Sequence, residues 1–353
     1  MASTMGAKMK SSMGLGLLSP DDSPLFDVLA GAPVAGVTSA VSHAAARHGV
    51  SAMVADRLAA LGQPVPDTIA RDARAQVAQG LKTKRLTLQV LDALKKEGVT
   101  PILLKGYGLA VRLYPEQPLA RPSTDVDVLV SDEELPRVAR AMERLGLVRH
   151  DDAGLADVFE EHHHLSFSGP AGLVEVHFRL IATLGRGGFD DDALRGRARD
   201  WTLDGRVVRL LAEEDEFLYL ATHAANHAFL RVSWLVDLQR YLARAGGFDW
   251  ARMAQRSREA GFHTAVATAL ELVAQLLKTR LPDGARAHFG VRRLRRAVDR
   301  RLFAGTLVES ALVSDHRLGA FLVRLWLVDS PAHGVRHLFD GARRFIRRSR
   351  AEG

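Results

Sequence analysis

The sequence predicts an α+β fold, a strand-bearing core with a mostly helical remainder, and three observations predict it. Thr124–Val130 alternates, with Val126, Val128 and Val130 on one side and Asp125, Asp127 and Leu129 on the other, the period of a half-buried strand. Ser131 and Glu134 form a capping box, and Leu135, Val138, Ala139, Met142 and Leu145 follow at helical spacing. Tracts rich in Ala, Leu and Arg lie on both sides of this segment, as helices require.

The elements follow in order. In residues 1–20, Lys8 and Lys10 precede an apolar run, Met13–Leu18, too brief for a secretory segment; a disordered leader is expected. Residues 21–98 read as a helical region, with helices over Val41–Ala60 and Ile69–Glu97 separated by Pro64 and Pro66. A core region over 99–210 begins with a buried strand, Thr100–Leu104, and a helix over Gly106–Leu113. Pro115, Pro118 and Pro122 make Tyr114–Thr124 a loop. After the Asp strand, a helix is expected over about 132–145. Leu147–His150, His163–Phe167 and Leu173–Leu180 read as strands, the last two joined by a hairpin turn at Gly169–Gly172. A Gly- and Asp-rich connection spans roughly 185–205. The region 211–353 is mostly helical with a basic tail, and Glu213, Glu214, Asp215 and Glu216 crowd a first turn, where the helix dipole favours them.

Composition removes several function classes. The 353 residues are 47% hydrophobic and 25% charged, the balance of a folded globular chain. With no cysteine, disulfides, thiolate metal sites and a thiol nucleophile are excluded. No transmembrane segment is expected, because the most apolar run, Phe321–Val328, contains Arg324 and falls short of the roughly 18–20 residues a span needs. A cytoplasmic location is therefore expected. The net charge of +7 is uneven: from 291 onward fourteen Arg face six acids, a balance of +8, so the first 290 residues carry −1.

Chemistry concentrates on two strands. Asp125 and Asp127, two apart, project from one face, and such paired carboxylates repel unless a cation lies between them; oxygen donors of this kind suit Mg²⁺. On the later strand Glu175, His177 and Arg179 share a face while Val174, Val176 and Phe178 form the other. If the two strands are neighbours, three acids converge. Upstream, Lys105-Gly106-Tyr107-Gly108 opens a helix, a place where backbone N–H groups and a lysine can receive phosphate.

Leu104-Lys105-Gly106, Leu113-Tyr114-Pro115, Arg121 four residues before Asp125-Val126-Asp127, Val174-Glu175-Val176-His177, and later His223, His227, Trp234 and Asp237 together resemble the uncharacterised nucleotidyltransferase-like family of the DNA polymerase β superfamily. The resemblance runs from roughly 30 to 345. It implies a minimal nucleotidyltransferase fold, a mixed sheet with flanking helices plus a mostly helical remainder, in which Asp125, Asp127 and Glu175 hold two Mg²⁺, with Mn²⁺ as an alternative, and Gly106 marks the turn that binds the triphosphate of an NTP co-substrate. Tyr107 stands where the superfamily usually has Ser or Gly, and the gap from Gly106 to Asp125 is longer than common.

Each residue has a plainer reading beside this one. Lys105 either meets phosphate or caps its strand in water. Arg121 either neutralises polyphosphate with Lys105 or holds Asp125 in an ion pair. His177 is expected to support a ligand rather than be one. His162-His163-His164 is read against zinc, because three adjacent strand residues cannot all face one ion, with His162 and His164 near the acceptor as the alternative. If Glu213–Ala243 is one helix, His223, His227, Trp234, Asp237 and Tyr241 form a stripe that either packs inside or shapes the acceptor side. The tail helix carries Val335, Leu338, Phe339, Ala342, Phe345 and Ile346 on one side and arginines elsewhere; docking onto the helical region is expected, with nucleic acid or anionic membrane as the alternative partner. The resulting expectation is a Mg²⁺-dependent nucleotidyltransferase moving a nucleoside monophosphate from an NTP to an unidentified acceptor, with a kinase using the same site or a non-catalytic nucleotide-binding scaffold as alternatives.

Overall fold

A computed structural model describes residues 23–32, 37–150, 163–181, 187–244, 246–290 and 322–339. The leader, His162 and the arginines beyond 340 lie outside the described residues.

Four helices come first: α1 (Ser23–Ala30), α2 (Ser39–His48), α3 (Ser51–Ala60) and the 30-residue α4 (Asp67–Lys96). The helical stretch expected over Val41–Ala60 is two helices, because Gly49 enters the left-handed region at φ +65° and ends α2. The core region then runs β1 (Ile102–Leu104), α5 (Gly106–Leu113), β2 (Asp125–Leu129), α6 (Leu135–Arg144), β3 (Val148–Arg149), β4 (His164–Gly169), β5 (Gly172–His177), α7 (Asp191–Arg197), β6 (Arg199–Leu203) and β7 (Arg206–Leu210). Helices α8 (Glu213–Asn226), α9 (Val232–Arg244), α10 (Trp250–Glu259), α11 (His263–Leu276) and α12 (Asp283–Phe289) follow.

The strands form one mixed sheet in the order β3-β4-β5-β2-β1-β7-β6. β2 runs antiparallel to β1 and parallel to β5, with Asp127 opposite Glu175. The capping box holds as read, Glu134 accepting the Ser131 N–H at 2.9 Å, although a short 3₁₀ turn over Asp132–Glu134 precedes α6. The connection expected near 185–205 instead contains α7, β6 and the turn at Asp204 and Gly205, both at positive φ, which leads into β7.

The alternation of β2 decides which side of the sheet does what. Val126, Val128 and Val130 join Leu103, Val174 and Val176 against Leu86, Val90 and Leu94 of α4 and Val138 and Met142 of α6. Each buried valine contributes about 1.5–3 kcal/mol, so the strand has one way to face. Ile102, Leu104 and Leu129 face the other way, into a core shared with α1–α3, α8, α9 and α11. The aspartates share that second face and therefore look toward the helical remainder.

The stripe expected along one helix from 213 to 243 is broken. Ala228 and Phe229 take left-handed φ values of +53° and +55°, burying the Phe229 ring and separating α8 from α9. The expected docking face of the tail also differs: over 331–339 His337 is buried, while Val335, Leu338 and Phe339 are exposed.

Candidate active site

The parallel pairing of β2 with β5 assembles the acids. Donor atoms of Asp127, Glu175 and His177 all lie within 4.8 Å of one another. His177 Nε2–H donates to Asp127 at 3.1 Å and lies 3.7 Å from Glu175. Lys105 Nζ sits 3.0 Å from Asp127, so this lysine does not end its strand in water but is held against the acids.

The charges explain one another. Burial would raise the Asp127 carboxyl, but the Lys105 ammonium and the His177 hydrogen bond outweigh it and hold the group well below the usual carboxylate range. Asp125 has less relief of this kind. Burial first, and then repulsion from Asp127 and Glu175 against some relief from Lys105, pushes it up to about 6. His177 is raised, because its hydrogen bonds to Asp127 and Glu175 exceed the burial penalty. Asp127, Glu175 and His177 form a group that a divalent cation fits, with Asp125 outside that group but coupled to it by charge, and the carboxylate oxygens suit Mg²⁺ or Mn²⁺.

Lys105 has φ +42° and Gly106 φ +51° at the start of α5. Such a conformation in a lysine costs energy and concentrates at functional sites. A Cβ on Gly106 would lie 3.5 Å from the Asp125 carbonyl oxygen, so glycine there permits the turn through its backbone rather than through a void. Tyr107 leaves the cleft altogether: its ring joins the core on the α4 side, beneath Lys84 at 4.9 Å. Its side chain is thus removed from the nucleotide-binding set, leaving Lys105 and Gly106.

Arg121 and Asp237 also differ from expectation. They form a buried ion pair at 2.8 Å, with the Tyr114 hydroxyl donating to Asp237 at 2.9 Å. Arg121 therefore pairs with α9 rather than with Asp125, and its polar atoms are committed to Asp237, Pro122 and the Gly106 carbonyl at 3.4 Å. Asp237 is correspondingly withdrawn from the acceptor side. Tyr241 is likewise internal, in a network with Arg112 and Glu216.

His223, His227 and Trp234 converge despite the helix break, with ring centroids 4.7 Å (His223–His227), 4.9 Å (His223–Trp234) and 5.6 Å (His227–Trp234) apart. Tyr219, one turn before His223, places its ring 6.0 Å from the Lys105 ammonium. Sequence reasoning missed Tyr219, although its i, i+4 spacing to His223 was a signal. It also read His163 and His164 against zinc, placing His164 near the acceptor instead. Both imidazoles pack against His177, at centroid distances of 5.4 and 5.1 Å, and burial lowers them to about 2 and about 4.

A sheet of this order, with carboxylates meeting across β2 and β5 beneath a glycine turn, is the frame of a nucleotidyltransferase. The chain belongs to the family described as uncharacterised nucleotidyltransferase, whose pattern matches residues 38–278. No curated protein matches it. Among solved structures, the solution structure of the antibiotic-resistance factor ANT(2'')-Ia is similar, with 15% identity and a TM-score of 0.37 over 50% of this chain and 92% of that one. No helix among the described residues is long and apolar enough to cross a membrane.

Proposed function

We propose that the chain is a Mg²⁺-dependent nucleotidyltransferase that moves a nucleoside monophosphate from an NTP to an acceptor: a small molecule, a sugar, a peptide or a nucleic-acid end. The observation that carries this reading is the register that sets Glu175 beside Asp127, with Asp125 in the same cluster of charge. Asp125, Asp127 and Glu175 would hold the cations. Divalent metal at such a site neutralises polyphosphate charge and orients the entering and leaving oxygens.

The chain's own residues bind and orient. Lys105 stays protonated, since the surrounding acids more than offset its burial, and it adjoins the Gly106 turn assigned to the triphosphate. The Arg121 bond to the Gly106 carbonyl steadies that turn from behind. His223, His227 and Trp234 are assigned to the acceptor side, and His177 to orienting Asp127. Dependence on the NTP pool fits a cytoplasmic location.

Labelled NTPs, Mg²⁺ and candidate acceptors test the reading through their products. Release of pyrophosphate is expected, and Asp127→Asn should lower it at least about 10²-fold, as for loss of a contact to developing charge. Release of nucleoside diphosphate would assign a kinase, and binding without turnover a scaffold.

A further inference from the structure

Three histidines next to the carboxylates form a nitrogen-rich cluster of their own. His164 opens β4 directly opposite His177 at the end of β5. His163 lies just before the strand, at a bend, and so escapes the alternation that would send it to the opposite face. That bend removes the objection that adjacent residues on a strand cannot share an ion. Ligand atoms of His163, His164 and His177 lie within 4.8 Å of one another. His163 Nε2 and His164 Nδ1 are 3.2 Å apart. Two nitrogens of a tetrahedral zinc site, each about 2.0–2.1 Å from the metal, would be about 3.3–3.4 Å apart. His177 is buried, and its Nδ1 has no hydrogen-bond partner among the described residues.

We propose that His163, His164 and His177 form a second metal site, selective for a borderline divalent cation of the Zn²⁺ class and distinct in donor chemistry from the carboxylate set. Imidazole nitrogen favours zinc, cobalt and nickel, whereas Mg²⁺ demands oxygen. Three protein ligands leave the fourth position of a tetrahedral cation open, for water or an incoming group. A cation there would tie the start of β4 to the end of β5. His177 touches Asp127, and His164 and His177 lie 3.9 and 3.7 Å from Glu175, so the two sets adjoin. The proposal does not rest on nucleotidyl transfer, since the three imidazoles would bind metal whatever reaction the acids perform.

Co²⁺, whose visible spectrum reports ligand type and geometry, tests it on the full chain after chelator treatment. The expected result is Co²⁺ bound with the intense absorption of tetrahedral nitrogen ligation, displaced by Zn²⁺ and retained in excess Mg²⁺. His163→Ala and His164→Ala should each weaken binding at least about 100-fold, the upper end of what losing even an outer partner of a ligand costs. Asp125→Asn should leave the spectrum in place. A weak octahedral spectrum erased by Mg²⁺, or unchanged affinity in both histidine variants, would overturn the proposal. Should those variants not fold, ring-nitrogen NMR of the unaltered protein decides it: Zn²⁺ must shift three histidines together, and unshifted resonances would reject the site. Turnover with Mg²⁺ alone is measured separately, so failure of either proposal leaves the other standing.

Discussion

Asp125 and Asp127 are two residues apart and chemically identical, yet the fold drives their carboxyl groups in opposite directions. Asp127 has Lys105 and His177; Asp125 faces acids and burial with less relief. The sign of the consequence follows from linkage. A carboxyl raised to about 6 in the folded chain and near 3.9 unfolded binds more protons when folded, so its contribution declines as pH rises from about 4 through 6 and stays unfavourable above. Asp125→Asn mimics the protonated form. In metal-free protein it should raise Tm by a few degrees at pH 8 and by about half as much at pH 5, the middle of the titration window; equal shifts at both pH values would contradict the crowding inferred for the wild-type carboxylates. The same linkage predicts that Mg²⁺ binding near pH 6 releases a proton from Asp125, measurable as a dependence of binding heat on buffer ionisation.

Between elements, the main tie under the site is the ion pair of Arg121, in the loop before β2, with Asp237 of α9. Both groups are buried, so removing one partner strands the other. Asp237→Ala should cost about 3–5 kcal/mol in urea unfolding, whereas the double replacement with Arg121→Met should cost less than the two single changes added together. Additive costs would show that the pair is not coupled. This tie was hidden in the sequence. Arg121 and Asp237 are 116 residues apart, and nothing local says which acid an arginine will find. Periodicity did reveal β2, α6 and the sided pattern of β5, because burial of their valines and leucines forces one orientation. The β6–β7 hairpin carried a strong local signal, Asp204-Gly205 between alternating residues, but exposed Trp201 and Val207 obscured its apolar side. The break between α8 and α9 had no signal of that kind: Ala228 and Phe229 adopt left-handed backbone that only burial of the Phe229 ring explains.

Across the whole molecule, one face of the sheet is sealed by α4 and α6, and the other carries the acids toward the helical remainder. The sequence made the acids legible as a set conditional on strand adjacency, and the parallel pairing of β2 with β5 supplies that adjacency. Residue contacts across the cleft were less accessible. His163 and His164 come from the start of β4, and Tyr219 from α8, so only the assembled fold brings them to His177 and Lys105. The account stands on a cation shared by β2 and β5, and Mn²⁺ titration followed by electron paramagnetic resonance, in the presence of a non-hydrolysable NTP analogue, tests this most directly. The full chain should take up two magnetically coupled Mn²⁺ ions, and Asp127→Asn and Glu175→Gln should each abolish the coupling. Uncoupled Mn²⁺, or binding that survives both substitutions unchanged, would contradict it.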